Sequence, residues 1–97
     1  MSEPAERAIP LPLAFDTAIG YWTGEPDWEL VEAAVSACAG AAVAERLAGH
    51  RQGGAPVECS GFILEIAETT LLVRGEPAVV ERFAAEVEER LAGGGRR

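Results

Sequence analysis

The sequence predicts an α+β fold: a two-layer sandwich in which an antiparallel sheet of three or four strands carries two helices on one face. Two observations within residues 57–91 predict it. Apolar residues alternate over 62–67 and return over 71–73, which is the period-two pattern of two strands joined by a turn at 68–70. An amphipathic helix then follows from Pro77, a residue suited to the first helical position. The expected element order is β-(β)-α-β-β-α.

The N-terminal half predicts one or two further strands. Residues 8–15 hold alternating apolar residues separated by Pro10 and Pro12. Because proline cannot donate to a sheet ladder, this segment is expected to be an edge strand or an extended arm laid on the core. Residues 17–22 fit a second short strand, and residues 23–26 fit a turn.

A long helix of small side chains is predicted over residues 27–48, where alanine recurs and large aliphatic residues are few. Gly40 is expected to bend or end it, because glycine costs about 1 kcal/mol against alanine inside a helix. The small side chains let another backbone approach closely. That neighbour is either the sheet or second helix of the same domain, or the same helix of a second subunit.

The last helix is defined by one apolar stripe at three- and four-residue spacing. Its members are Val80, Phe83, Ala84, Val87 and Leu91. Glycines at 93–95 are expected to end it, which leaves a single domain over residues 8–92 between a flexible arm (1–7) and a flexible tail (93–97). The order of elements is similar to a ferredoxin-like topology that lacks its final strand. Such a sheet keeps an open edge near the N-terminal arm, where pairing gives a simple route to a dimer.

Charge and composition exclude several classes of function. The net charge is −8, from 16 acidic and 8 basic residues, so nucleic acid and anionic membranes are disfavoured as partners. No apolar run approaches the roughly 20 residues that span a bilayer. The acidic start of the chain is unlike a secretory signal, which favours a cytoplasmic protein.

Chemical motifs are scarce. Two cysteines and one histidine cannot supply a four-ligand zinc site, so no metal and no cofactor is expected. His50 lies just past a helix C-terminus, where capping or exposure is favoured over general acid–base catalysis. Cys59 is expected to pack as a small strand residue rather than to act as a nucleophile. The chain is therefore not expected to be an enzyme.

The candidate interface is a group of aromatic and basic residues around the predicted turn and the loop after the long helix. Its members are Tyr21, Trp22, Trp28, His50 and Arg51. Tryptophan and tyrosine are enriched at partner surfaces. The alternative is that the two tryptophans close the end of a small core.

Three functions remain open from the sequence. The first is a non-catalytic interaction or regulatory subunit that binds a protein partner and self-associates. The second is a regulatory domain that senses a small molecule at a dimer interface. The third is an acidic antitoxin or immunity-type inhibitor of a basic target.

Overall fold

The structure, a computed structural model, describes residues 3–16, 18–50 and 55–94. These residues form six strands and three helices. The strands are β1 (Ala5–Pro10), β2 (Leu13–Asp16), β3 (Tyr21–Pro26), β4 (Val57–Glu58), β5 (Phe62–Ala67) and β6 (Thr70–Gly75). The helices are α1 (Trp28–Ala39), α2 (Ala41–Ala48) and α3 (Pro77–Gly94). The expected α+β class is confirmed.

Four of the strands form one antiparallel sheet in the order β1-β6-β5-β4. After β1 the chain passes through β2, β3, α1 and α2 before it reaches β4 at the opposite edge of this sheet, and α3 follows β6. The sheet has one strand more than a ferredoxin-like sheet that lacks its last strand, because β4 adds to the outer side of β5, and no described strand pairs with the outer side of β1. β2 and β3 form a separate two-stranded sheet.

The core lies between one face of the four-stranded sheet and the helices. Alternate residues of the strands point into it, and five residues of α3 meet them from the other side. The largest fully buried side chains are Ile9, Val31, Val35, Val57, Leu64, Leu71, Val73, Val80 and Val87. The rings of Phe62 and Phe83 stack at a centroid distance of 4.6 Å. The period-two and period-3.6 patterns of the sequence are therefore the two surfaces of one core.

A tight turn lies at the start of β6, and a close backbone contact lies at its end. Glu68, with φ +57°, occupies the two-residue turn between β5 and β6, a conformation that costs free energy for any residue with a Cβ. Gly75 ends β6 directly against the β4–β5 turn. A Cβ at Gly75 would lie 2.4 Å from the carbonyl oxygen of Gly61 and 2.7 Å from the Cα of Phe62, so only glycine fits.

Gly40 divides the predicted long helix into α1 and α2, with φ +100° at the break. Residues from the start of α1 and the end of α2, such as Glu29 and Ala48, line the same groove. The two helices therefore fold back on each other, and their small side chains pack within the chain. Asp27 caps α1 by accepting a hydrogen bond from the backbone N–H of Leu30 at 3.4 Å.

The N-terminal third departs from the prediction in three ways. β1 begins at Ala5, so residues 5–7 belong to the sheet rather than to an arm. The predicted strand over 8–15 is split at Leu11 and Pro12 into β1 and β2. The predicted turn at 23–26 is wrong, because these residues are in β3, and the turn lies at residues 18–20 instead.

The register explains the position of Pro10. The backbone N–H of Leu11 donates to the carbonyl of Thr69, so Leu11, Ile9 and the alternate residues before them face β6. Pro10 therefore faces away from β6, where its missing N–H removes no ladder bond.

The C-terminal helix also runs further than expected. α3 continues through Gly94, past the glycines at which the sequence predicted its end. Residues 95–97 of the predicted tail lie outside the described residues.

Candidate interaction surface

The hairpin formed by β2 and β3, residues 13–26, is called here the projecting hairpin. Its strands contact each other and make at most marginal contact with any other element. Within the described part of the chain, every large hydrophobic residue classed as exposed lies in it. These residues are Leu13, Phe15, Ile19 and Tyr21, with exposed fractions of 38%, 47%, 61% and 70%.

The base of the projecting hairpin is fixed to the rest of the molecule. The backbone N–H of Asp27 donates to the carbonyl of Pro12 at 2.8 Å, and Leu13 stands opposite Pro26. The ladder is irregular between Leu13 and Phe15, which increases local twist. The projecting hairpin thus begins just after β1, and its second strand leads directly into Asp27, the residue before α1.

The upper part of the hairpin has regular register. Phe15 stands opposite Trp22, and Asp16 stands opposite Tyr21. Gly20, with φ +70°, closes the turn. This arrangement places Phe15 and Tyr21 on successive rungs, so the exposed apolar side chains extend over both faces of the hairpin.

The aromatic trio expected from the sequence is only partly brought together. Tyr21 and Trp22 are neighbours in β3, whereas Trp28 is partly buried and packs against the core from the first turn of α1. Sequence reasoning missed Leu13, Phe15 and Ile19. The signal was present, because Leu13 and Phe15 alternate in a strand pattern, but the prediction assigned that pattern to the core.

The loop after α2 is the second part of the predicted interface. His50 lies just beyond the helix end, and its backbone N–H donates to the carbonyl of Leu47. Its Nδ1 atom is buried and has no hydrogen-bond partner among the described residues. Arg51 lies outside the described residues.

The outer edge of the sheet is the second exposed surface. Since Ile9 and Arg7 face β6, the backbone groups of Glu6, Ala8 and Pro10 point away from the sheet. The outward N–H donors are those of Glu6 and Ala8. A groove of about 600 Å³ runs along this edge, between β1 and residues Glu88, Leu91 and Ala92 of α3.

A wider groove of about 830 Å³ lies at the end of the sheet where β1 begins. Apolar groups form most of its wall, among them Pro4, Phe62, Ile63 and Pro77. An ion pair between Arg74 and Glu6, at 3.0 Å, lies at its rim. This groove is called the end groove.

The cysteines do not form a reactive centre. Burial raises the pKa of both the Cys38 and the Cys59 thiols above the ordinary value of a thiol, against a smaller opposing effect of Arg90 on Cys38 and of Arg46 on Cys59. Both thiols are therefore protonated at neutral pH. Among the described residues, no group of three or more His, Cys, Asp or Glu side chains is arranged to hold a metal ion.

Comparison with known proteins adds no assignment. No protein-family model, curated protein or solved structure matches the chain. None of the helices in the described ranges has both the length and the apolar character to cross a bilayer.

Proposed function

We propose that this protein is a non-catalytic interaction or regulatory subunit that binds another protein through the projecting hairpin. The exposure of Leu13, Phe15, Ile19 and Tyr21 on one small element carries the proposal. Burial of apolar surface is the main favourable contribution to association, and an exposed apolar patch on this scale marks an interaction site.

The charge of the hairpin supports a protein partner. Residues 13–26 contain two charged side chains, Asp16 and Glu25, and neither arginine nor lysine. Nucleic acid and anionic membranes are both recognised largely through Arg and Lys, and the chain as a whole carries −8. Aromatic side chains at the hairpin offer large contact area at low entropic cost.

The chemistry of the remaining polar residues supports a non-catalytic role. Cys38 and Cys59 carry protonated, partly buried thiols, which are poor nucleophiles. His50, the one histidine of the sequence, has its buried Nδ1 without a described partner that would orient it as a base. Free thiols fit the cytoplasmic location that forms part of this proposal.

Photo-crosslinking in the cells that naturally make this protein tests the proposal. A photoreactive phenylalanine analogue replaces Tyr21 in one strain and Glu89, on the solvent face of α3, in a control strain. We expect the probe at 21 to give a discrete covalent adduct with a protein, and the probe at 89 to give none. Absence of an adduct at 21, or the same adduct at both positions, would contradict the proposal.

If the hairpin binds its partner through apolar side chains, the yield of the adduct should fall when those side chains are replaced. Adding Leu13→Ser, Phe15→Ser and Ile19→Ser to the strain with the probe at 21 should reduce the adduct strongly. A matched triple change on the polar surface, Glu81→Ser, Glu86→Ser and Glu89→Ser, should leave it at the original level.

A further inference from the structure

The open edge of the sheet and the projecting hairpin belong to one continuous segment. β1 runs along the outer edge, and after Leu11 and Pro12 the chain enters the projecting hairpin. Any strand that pairs with β1 in antiparallel fashion must therefore have its beginning beside the base of the hairpin. A suitable partner strand must therefore be one whose first residues can lie next to the projecting hairpin.

We propose that the partner is a second copy of this chain, that the two β1 strands pair antiparallel about a two-fold axis at Ala8, and that each projecting hairpin covers the end groove of the other copy. The inference rests on the proposed function and identifies the protein that the hairpin binds. A two-fold contact uses the same patch twice, and each copy here supplies both an edge and a hairpin.

The outward backbone groups of β1 are all used in this register. With Ala8 opposite Ala8 of the second copy, Glu6 stands opposite Pro10 of that copy. Each Ala8 N–H then meets the other Ala8 carbonyl, and each Glu6 N–H meets a Pro10 carbonyl. All the outward donors of the strand are satisfied, and the proline, which lacks an N–H, is used as an acceptor.

Charge disfavours the register centred on Arg7, which would use the same backbone donors. Pairing centred on Arg7 would place two Arg7 side chains directly opposite each other, and like charges at opposed positions destabilise a sheet. In the Ala8-centred register, Arg7 stands opposite Ile9, and Arg7 keeps its ion pairs with Glu81 and Glu88 at 2.6 and 2.8 Å.

The same register brings the hairpin to the end groove. Counting along the paired strands, Pro12 stands opposite Pro4 of the second copy, and Pro4 lines the end groove. The hairpin begins at the next residue, Leu13. In the proposed dimer the hairpin crosses the end of the partner's sheet, where the groove spans about three strand spacings, roughly 14 Å, and β2 is about 13 Å long.

The area is of the size that a dimer needs. The groove covers one face of the hairpin, about half of the roughly 450 Å² that Leu13, Phe15, Ile19 and Tyr21 expose, and loses a similar area of its own wall, so the two contacts bury on the order of 900 Å² in all. The paired edges add to this, which brings the total close to the roughly 1,200 Å² at which specific interfaces begin. Both the hairpin and the end groove wall are mainly apolar, so burial of apolar surface dominates this contact despite the acidic charge of both chains.

Disulfide crosslinking tests the register in the full chain, with the two native cysteines replaced by alanine. Ala8→Cys places two thiols on an opposed pair with Cα atoms about 5.5 Å apart, within the range of a disulfide. We expect mild oxidation to convert it to a covalent dimer. Glu6→Cys is the matched control, because its two copies would lie about 13 Å apart and should remain unlinked.

Two variants test the edge and the hairpin separately by sedimentation equilibrium. Ala8→Pro removes an outward N–H in the way that Pro10 already does and should raise the dimer dissociation constant at least about 30-fold, a change of about 2 kcal/mol, while Ala8→Ser should not. Leu13→Ser with Tyr21→Ser should raise it by a similar factor. Each variant is checked for an unchanged circular-dichroism spectrum and a cooperative melt.

The outcomes separate this inference from the proposed function. A monomeric wild-type chain, an unlinked Ala8→Cys variant, or a dimer that is insensitive to the hairpin changes would overturn the inference. If the probe at position 21 then captured a different protein, the proposed function would stand and the second copy would not be the partner. If the probe captured nothing, both would fail.

Discussion

The molecule contains two long antiparallel hairpins whose apolar residues have opposite environments. In the β5–β6 hairpin, Leu64 and Leu71 are fully buried, because α3 follows at once and covers the face they share. In the projecting hairpin, Leu13 and Tyr21 are exposed, because the next element, α1, packs against α2 and α3 instead. The alternation of apolar residues is similar in both. What differs is whether the same chain supplies the covering layer.

This difference shows that strand patterning reports the need for a partner surface and not its source. A buried hairpin and a binding hairpin both need apolar side chains at alternate positions. The neighbouring segments decide which of the two results. The four-stranded sheet and its helices are called the body. We expect substitutions in the body and in the projecting hairpin to have different effects.

The largest expected effect is at Gly75, in the body. Gly75→Ala would place a Cβ 2.4 Å from the carbonyl oxygen of Gly61, which forces the β4–β5 turn away from β6. We expect a loss of more than about 3 kcal/mol in the free energy of unfolding, or no cooperative fold. Gly93→Ala is the control, since nothing lies within 4 Å of its added methyl group and alanine favours a helix. Equal effects of the two changes in urea denaturation would contradict the close approach at Gly75.

The second prediction compares one aliphatic residue from each region. Leu71 is fully buried, so Leu71→Ala should reduce the free energy of unfolding by about 2–5 kcal/mol. Ile19 is 61% exposed at the turn of the projecting hairpin, so Ile19→Ala should change it by less than about 0.5 kcal/mol. Denaturant titrations at a concentration where the chain is monomeric give both values. Similar losses for the two variants would show that the hairpin is part of the body.

These contrasts also show how far the sequence could predict the structure. The strands around Leu64 and Leu71, the α3 stripe and the break at Gly40 follow from local periodicity and from glycine. The division of residues 8–15 at Leu11 and Pro12 does not, since proline marks either an edge strand or its end. The turn prediction at 23–26 was wrong because Gly24 and Pro26 fit the irregular strand of a twisted hairpin as well as they fit a turn.

The candidate site was predictable only in part, for a related physical reason. Tyr21 and Trp22 were identified because tryptophan and tyrosine are enriched at partner surfaces. Leu13, Phe15 and Ile19 were not, since their pattern is that of a core strand and exposure depends on packing between distant elements. Trp28 packs on the core, which periodicity alone did not distinguish from a surface position.

The third prediction concerns the turn of the buried hairpin. Glu68 has φ +57°, which glycine adopts without a steric cost. Glu68→Gly should therefore stabilise the body by about 1 kcal/mol, after allowing for the greater freedom of glycine in the unfolded chain. Thr69→Gly, at the adjacent turn position, is the control and should destabilise. Thermal melts that move in the same direction for both variants would contradict the assigned turn conformation.

The smallest effect is expected at the ion pairs that link β1 to α3. Arg7 donates to Glu81 and Glu88 on the helix surface, where solvent screens each pair. Arg7→Met keeps the aliphatic part of the side chain and should cost the body about 0.5 kcal/mol at low salt. The cost should shrink at high salt, because screening weakens exposed pairs. A loss that does not depend on salt would assign the role of Arg7 to packing instead.

The central claim is that the exposed apolar residues of the projecting hairpin serve binding and not folding. The most direct measurement is the free energy of unfolding of a chain carrying Leu13→Ser, Phe15→Ser, Ile19→Ser and Tyr21→Ser, compared with the wild type where both are monomeric. We expect a difference of less than about 1 kcal/mol. A loss of more than about 3 kcal/mol, typical of truncation inside a core, would contradict it.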